Sequence, residues 1–200
     1  MARVYGIKKR LEQRGFDEAS IKEIIGNGNL IGIIERMEKL LEYDVMQEIL
    51  DSCACGGGSV FIKHCQKIGK EILGRPLSEK IKHINETSPD SENIELMADD
   101  IMRGTLSFGE DGKHKCACSA AVKKGVTVSQ LAENGESVMP LSYCLCCAGS
   151  FRRHLEMKLG IGLKTKAVVS SPINSGGEQP CEFVYEISPR IDGKEDCRGV

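Results

Sequence analysis

The sequence predicts an α+β fold, in which a helical N-terminal region packs on a small α/β domain with an antiparallel sheet. Two observations predict this class. Apolar residues recur at helical spacing in the first half of the chain, and two segments near its C-terminus alternate apolar and polar residues as half-buried strands do. With 200 residues, of which 40% are hydrophobic, the chain is long enough to bury a sizeable core.

The N-terminal helices are predicted from their apolar faces and from the residues that end them. Ile7 and Leu11 share one face of the first helix, which Gly15 is expected to end. Asp17 is a suitable N-cap for the second helix. The clearest amphipathic helix of the chain begins at Leu30.

A glycine-rich segment, residues 53–59, interrupts this helical pattern. Ser59 can cap the helix that follows, and residues 74–76 (Gly-Arg-Pro) should stop it. Cys65 lies on the apolar face of this helix, where a free cysteine usually behaves as a small hydrophobic side chain. We therefore expect Cys65 to be a core residue, and a short helix around Ile81 to come next.

The polar residues 85–92 include Pro and Ser and are predicted to form a linker. They divide the chain into a helical region, residues 1–90, and a cysteine-rich α/β ligand-binding domain, residues 91–190. A loose tail, residues 191–200, follows and contains Cys197, for which we expect no role.

The start of the second region is predicted to be a helix that ends near Gly104, because Ile94, Met97 and Ile101 share one helical face. The Asp-Gly pair at residues 111–112 then predicts a hairpin turn.

A further helix is predicted over residues 150–159, with Gly160 beyond its end. Residues 163–169 and 181–187 alternate in the manner of strands and are separated by a Gly-rich turn. We expect these two strands to belong to the antiparallel sheet.

Composition and charge exclude several functional classes. The formal net charge of −2 lacks the basic excess that is typical of nucleic-acid-binding proteins. No run of about 18 apolar residues predicts a membrane-spanning helix, and the N-terminus has no apolar signal core. We therefore expect a cytoplasmic protein, in whose reducing environment ten cysteines are better suited to metal binding or reaction than to structural disulfides.

The cysteine spacing is the strongest functional signal. Three Cys-x-Cys pairs recur, at residues 53/55, 116/118 and 144/146. Zinc takes four ligands in a tetrahedron, most often thiolate and imidazole, although common zinc knuckles place two residues between paired cysteines rather than one. The predicted metal ligands are Cys116, Cys118, Cys144 and Cys146, with Cys147 as the substitute. An iron–sulfur cluster would accept the same thiolates.

A reactive thiol is the second interpretation. With a helix that begins near Ser150, Cys146 and Cys147 would precede its positive end, which favours thiolate over thiol. Cys147 would then attack an electrophilic carbon, with His154 or His114 as the base. The alternative is that His154 belongs to a solvated helix face.

A redox pair is the third interpretation. Cys146 and Cys147, or one of the Cys-x-Cys pairs, could cycle between dithiol and disulfide, because bridges between such close cysteines are strained and labile. The segment 53–59 is either a tight turn or a backbone that approaches a ligand or metal closely. It lacks the Gly-Lys-Ser/Thr ending of a P-loop, so nucleotide binding is not expected.

From Cys144 onward the order of features resembles a known family. A cysteine-containing turn leads into a helix with Phe151 and Leu155, and Gly160 and a strand follow. A Ser-Pro-Ile-x-x-Gly turn and the segment Cys-Glu-Phe-Val at residues 181–184 complete the order. It resembles the C-terminal half of the 4-vinyl reductase-type small-molecule-binding domain and of L-2-amino-thiazoline-4-carboxylate hydrolase-like proteins. The resemblance covers roughly the last hundred residues.

The resemblance implies a small α/β ligand pocket that a Gly-x-x-x-Cys-x-Phe ending closes, here Gly177, Cys181 and Phe183. The family usually carries a cysteine in the stretch where this chain has Ser-Ser-Pro at residues 170–172. This departure puts a site at that position in doubt and would shift the thiol chemistry to the other cysteines.

The sequence therefore predicts a cytoplasmic small-molecule-binding protein with a cysteine-built, zinc-binding site near its ligand pocket. Two alternatives stay open. One is a cysteine-dependent hydrolase of a small C–N or C–S heterocycle, for which the resemblance implies Cys146 or Cys147 as the nucleophile. The other is a protein whose metal site is purely structural.

Overall fold

The predicted α+β class is confirmed. A computed structural model describes residues 2–53, 58–88, 92–109, 112–116, 118 and 140–188. Over these ranges the chain forms seven α-helices and one four-stranded antiparallel sheet. The helices are α1 (Ala2–Gln13), α2 (Glu18–Ile25), α3 (Leu30–Leu40), α4 (Tyr43–Ser52), α5 (Ser59–Glu71), α6 (Leu77–Thr87) and α7 (Leu145–Leu159). The strands are β1 (Glu92–Ala98), β2 (Ile101–Leu106), β3 (Gly162–Ser170) and β4 (Cys181–Ser188).

The sheet has the strand order β1-β2-β4-β3, and every neighbouring pair is antiparallel. The two predicted C-terminal strands are therefore confirmed, and they pair with each other. Along β4 the side chains of Cys181, Phe183 and Tyr185 are buried and alternate with half-buried neighbours, as the period of two requires. The buried face of the sheet receives α7.

One hydrophobic core joins the two predicted regions. Helix α7 lies at its centre and packs against α4 and α5 on the helical side and against β3 on the sheet side. The ring centroid of Phe151 on α7 lies 6.1 Å from that of Phe183 and 6.4 Å from that of Tyr185, and both β4 rings are fully buried. The same buried cluster includes Ile7 and Leu11 of α1.

Two glycines allow the helices around α7 to approach closely. A Cβ atom at Gly149 on α7 would lie 2.3 Å from the carbonyl oxygen of Asp51 on α4. A Cβ atom at Gly69 on α5 would lie 2.3 Å from the carbonyl oxygen of Met157 on α7. Because neither position has room for a side chain, glycine is required at both contacts, and the end of α4 lies directly beside the first turns of α7.

Several local predictions are confirmed. Asp17 is the N-cap of α2, and its carboxylate accepts a hydrogen bond of 2.7 Å from the backbone N–H of Ser20. Gly15 follows α1 with φ 80°, and Gly160 follows α7 with φ 71°, the left-handed conformation that glycine adopts at helix ends. Cys65 is fully buried in the core.

The helix predicted from Ile94, Met97 and Ile101 is wrong, because these residues belong to the hairpin of β1 and β2. Their spacing fits a helix, but a turn at residues 99–100 reverses the chain. Ile94 and Met102 then reach the core from paired strands. The local pattern fitted both structures, and the pairing with β4 favours the strands.

Two predicted boundaries are also displaced. The linker predicted over residues 85–92 begins too early, because α6 continues to Thr87 and includes Asn85. Gly58, rather than Ser59, is the N-cap of α5, and as a glycine it has no side chain with which to cap that helix.

Other predictions lie partly or wholly outside the described residues: the first residue of the Asp-Gly turn, Cys55, Cys197 and the tail 191–200. Beside the turn, the N–H of Lys115 donates a 2.5 Å hydrogen bond to the carbonyl of Phe108, so the two flanking segments are adjacent. Across the helices that the structure describes, none combines the length and the hydropathy needed to cross a membrane.

Candidate functional site: a buried thiol cluster

The start of α7 carries the densest thiols of the chain. A 3₁₀ turn, Leu141–Cys144, runs directly into α7, so Cys146 and Cys147 lie inside the first turn of the helix. The prediction that this helix begins near Ser150 is therefore wrong by more than one turn. The consequence is chemical, because both thiols now lie where the free N–H groups of a helix start are found.

Four thiols form a chain of direct contacts, which we call the thiol cluster: Cys116, Cys118, Cys147 and Cys146. The side chain of Cys118 forms hydrogen bonds with those of Cys116 and Cys147, and Cys147 in turn bonds Cys146. The backbone N–H of Cys118 also donates to the sulfur of Cys116, at 3.4 Å. The structure thus brings together the two cysteine segments that the sequence predicts to meet.

Three further cysteines surround the thiol cluster. The thiol of Cys144 bonds to Ser171, and Cys181 interacts electrostatically with Cys118 and Cys144. Cys53, at the end of α4, interacts with Cys146. Of the predicted metal ligands, Cys144 is therefore placed beside Ser171, while Cys147 takes the position in direct contact with Cys118.

The pKa values of these thiols are raised. Hydrogen bonds with neighbouring thiols, together with burial, raise the pKa of Cys116 and Cys147 well above that of a free cysteine. Burial raises the pKa of Cys144 to about 11 and that of Cys181 to about 12. At neutral pH each of these groups is a thiol, so a thiolate here requires a compensating positive charge.

Arg3 of α1 places such a charge beside the thiol cluster. Its Nη2 donates a 2.9 Å hydrogen bond to the carbonyl of Tyr143, and its guanidinium carbon lies 4.8 Å from the centre of the Tyr143 ring. Burial lowers the pKa of Arg3, but the adjacent Cys146 and Cys147 raise it, and the net pKa is raised. Nε and Nη1 are buried and have no hydrogen-bond partner in the part of the chain that the structure describes.

The predicted catalytic pair, Cys147 and His154, is not in contact. Seven residues separate them on α7, which is about 10 Å along a helix. The ring of His154 packs edge-on against Phe61 of α5, with 4.7 Å between centroids. The other candidate base, His114, shares a 2.9 Å hydrogen bond between its Nδ1 and the hydroxyl of Ser107. With the pKa of Cys147 raised, this geometry gives the nucleophile interpretation no support.

The arrangement of ligand-type side chains is pairwise. Among the described residues, no group of three or more Cys, His, Asp and Glu side chains is placed to hold a metal ion. The thiols of the cluster form a linear series of pairwise contacts and do not surround a common centre.

Two residues of the site were missed from the sequence. Arg3 looks like one of many surface cations, and only its contacts with Tyr143, in the 3₁₀ turn that leads into α7, make it part of the site. Ser171 was considered only as a departure from the family pattern, yet its side chain is fully buried against Cys144. A cysteine at that position would lie at the edge of the thiol cluster.

No protein-family model, no curated protein and no solved structure matches this chain. The resemblance to the 4-vinyl reductase-type domain therefore stays a prediction.

Proposed function

We propose that the protein binds a thiophilic metal ion, zinc in the first instance, through Cys116, Cys118, Cys146 and Cys147. This set keeps three of the four ligands predicted from the sequence and exchanges Cys144 for Cys147, because Cys147 is the residue in contact with Cys118. Four thiolates are a ligand set that suits zinc and iron–sulfur clusters.

The observation that carries the proposal is the buried guanidinium of Arg3. A charge that is removed from water normally has an anionic partner, and the Nε and Nη1 atoms of Arg3 have no hydrogen-bond partner among the described residues. The groups beside it are Cys146 and Cys147, which are neutral as thiols. A zinc ion with four thiolates carries a net charge of −2, so metal binding would supply the anion that Arg3 lacks.

The first experiment is elemental analysis of protein purified under reducing conditions without added metal. We expect about one equivalent of zinc per chain. Substitution with Co²⁺ would then report the donor atoms, since the strength of the thiolate-to-cobalt charge-transfer absorption increases with the number of cobalt–sulfur bonds.

Two single variants test the ligand set. Cys118→Ala should lose the metal, because Cys118 joins the two cysteine segments. Cys65→Ala is the matched control, since Cys65 is also buried but interacts with Lys158 and Glu92 instead of the thiol cluster. Retained metal in Cys118→Ala, or less than about 0.2 equivalents of zinc or iron in protein with fully reduced thiols, would reject the proposal.

Arg3 has its own test. Arg3→Gln should weaken zinc binding by about ten- to a hundredfold, the effect typical of groups that support metal ligands from outside. Lys8→Gln removes a cation from the exposed side of the same helix and should leave the affinity unchanged. Equal affinities in the two variants would show that Arg3 does not balance the charge of a metal–thiolate site.

A dithiol–disulfide pair is the second candidate, and the contact between Cys118 and Cys147 favours it. These residues are far apart in sequence, so their bridge would avoid the strain of one between Cys146 and Cys147. Oxidation would join the two sulfurs and pass two electrons and two protons to a disulfide oxidant such as oxidised glutathione. Peptide mapping after equilibration in buffers with different ratios of reduced to oxidised glutathione would detect this bridge. Its absence at every ratio would exclude the dithiol–disulfide function.

A further inference from the structure

A cleft of about 870 Å³ opens beside the end of α4. Its walls come from the last turn of α1, from α4, from the middle of α7 and from the start of β3. This volume suits a small molecule. Asp51 and Ser52 line the cleft, and the next residue, Cys53, interacts with Cys146 of the thiol cluster, so the two features share the end of α4.

The carboxylates on the floor of the cleft already hold donors. Asp51 accepts a 2.5 Å hydrogen bond from the hydroxyl of Thr165 on one oxygen and a 2.9 Å bond from Nη2 of Arg152 on the other. Oε1 of Glu156 accepts from Nη1 of Arg152 at 2.9 Å and from the N–H of Leu163 at 3.0 Å. These contacts fix the floor and occupy oxygens of Asp51 and Glu156. Of the other two acids of the lining, Glu48 pairs with Arg14, and Asp44 forms no ion pair with a described residue.

The positively charged side chains of the cleft outnumber its negatively charged ones. Six lining side chains are cationic and four are anionic, and one of the six, Lys166, forms an ion pair with Glu186 outside the lining. The cationic ones are Arg10, Arg14, Arg152, Arg153, Lys164 and Lys166. Within the described ranges, the side chains of Arg153 and Lys164 form no hydrogen bond or ion pair, and the only carboxylate that interacts electrostatically with Lys164 there is that of Glu186, across the sheet. A buried Nε of Arg152 also has no hydrogen-bond partner there.

We propose that this cleft binds a small organic dianion, such as a dicarboxylate. Arg153 and Lys164 come from different walls, so a ligand with two separated carboxylates can reach both. The half-exposed ring of Tyr43 supplies an apolar surface for the carbon chain between the carboxylates. This assignment is independent of metal binding and gives the small-molecule ligand predicted from the sequence a location.

Succinate and its neutral diamide, succinamide, are the matched probes, titrated into the isotopically labelled full chain at constant ionic strength. We expect amide shifts in two-dimensional NMR spectra that saturate at millimolar succinate and cluster at Gln47, Thr165 and their neighbours. Succinamide should leave these signals in place. Arg153→Gln and Lys164→Gln should each weaken succinate binding by about tenfold, the effect of losing one charge-assisted contact.

Lys67→Gln and Lys82→Gln are the controls, because these lysines lie on α5 and α6, outside the cleft. They should bind succinate as the unmodified protein does. Shifts that do not saturate, that appear equally with succinamide, or that weaken equally in the control variants would overturn the assignment. Since the assay needs no metal, its failure leaves the elemental analysis of the thiol cluster unaffected.

Discussion

Asn85 and Ile94 join the helical region to the sheet through two hydrogen bonds in which the asparagine side chain imitates a neighbouring strand. The amide Nδ2 of Asn85 donates to the carbonyl of Ile94 at 2.8 Å, and the N–H of Ile94 donates to Oδ1 of Asn85 at 2.9 Å. Ile94 belongs to β1, the edge strand whose other side pairs with β2. Helix α6 therefore covers this edge and satisfies its backbone groups.

Replacing Asn85 by Asp should destabilise the fold. The carboxylate cannot donate to the carbonyl of Ile94, which is buried, and like partial charges would face each other. We expect a loss of roughly 2–4 kcal/mol in the free energy of unfolding, measured by urea denaturation with circular dichroism. Asn93→Ala, on an exposed neighbour of the same strand, is the control and should change stability by less than about 0.5 kcal/mol. A similar loss in both variants would mean that α6 does not anchor the edge of the sheet.

The same contact explains which parts of the fold could be predicted from the sequence. Helices that carry their own signals, such as α2 with its Asp17 cap, were predicted with their ends. The hairpin of β1 and β2 was not, because Ile94, Met97 and Ile101 fit a helix equally well. Only partners outside this segment, Asn85 on the preceding helix and the distant strand β4, favour the strands.

The candidate site divides in the same way. Cysteine spacing predicted that residues 116–118 and 144–147 meet, because thiol chemistry is visible in the residue types. It could not rank Cys144 against Cys147, since the choice depends on whether α7 begins at Leu145 or five residues later. The role of Arg3 could not be predicted either, because the residues next to it in sequence give no sign that it packs against Tyr143.

Lys158 and Glu92 form a buried ion pair, and removing the lysine alone should destabilise the fold. Nζ of Lys158 lies 2.7 Å from both carboxylate oxygens, and the two side chains are 2% and 8% exposed. Lys158→Met leaves the buried carboxylate without a counter-charge and with only the hydroxyl of Ser88 as a donor, for which we expect a loss of about 3–5 kcal/mol. Adding Glu92→Leu should recover much of this loss, because the uncompensated charge is then gone. Urea denaturation of both variants measures the recovery, and a double variant as unstable as the single one would contradict the explanation.

Gly69 and Gly32 both lie inside helices, and alanine should have opposite effects at the two positions. Alanine is the better helix former by up to about 1 kcal/mol, so Gly32→Ala in α3 should be neutral or stabilising. Its Cβ would meet only the Arg36 guanidinium, at 3.1 Å from Nη1, and a shift of a few tenths of an ångström there is compatible with the bonds of the other two nitrogens to Ile24 and Ile25. Gly69→Ala would place a Cβ 2.3 Å from the carbonyl of Met157, so α5 and α7 must separate, at roughly 1–3 kcal/mol. The midpoint temperatures of thermal denaturation of the two variants test this prediction. Stabilisation by Gly69→Ala would show that the contact between α5 and α7 is looser than described.

Tyr185 links the sheet to α7 and should make stability fall at alkaline pH. Its hydroxyl donates a 2.9 Å hydrogen bond to the carbonyl of Ala148, and burial raises its pKa well above the ordinary value of 10.0. A phenol whose pKa is raised by folding stabilises the protein fully below pH 10. That contribution is lost above pH 10, because the unfolded chain then releases a proton that the folded chain keeps, at about 1.4 kcal/mol per pH unit.

Tyr185→Phe removes both the hydrogen bond and this pH dependence. We expect the variant to be less stable by roughly 1–2 kcal/mol at pH 8, with a difference from the unmodified protein that shrinks between pH 10 and 11. Urea denaturation at each pH measures the difference, and Tyr5→Phe, at an exposed ring, is the control. Tyrosinate absorbance gives a second measurement, because Tyr185 should ionise only as the ellipticity of the folded chain disappears. A difference that stays constant to pH 11 would show that Tyr185 ionises within the folded protein.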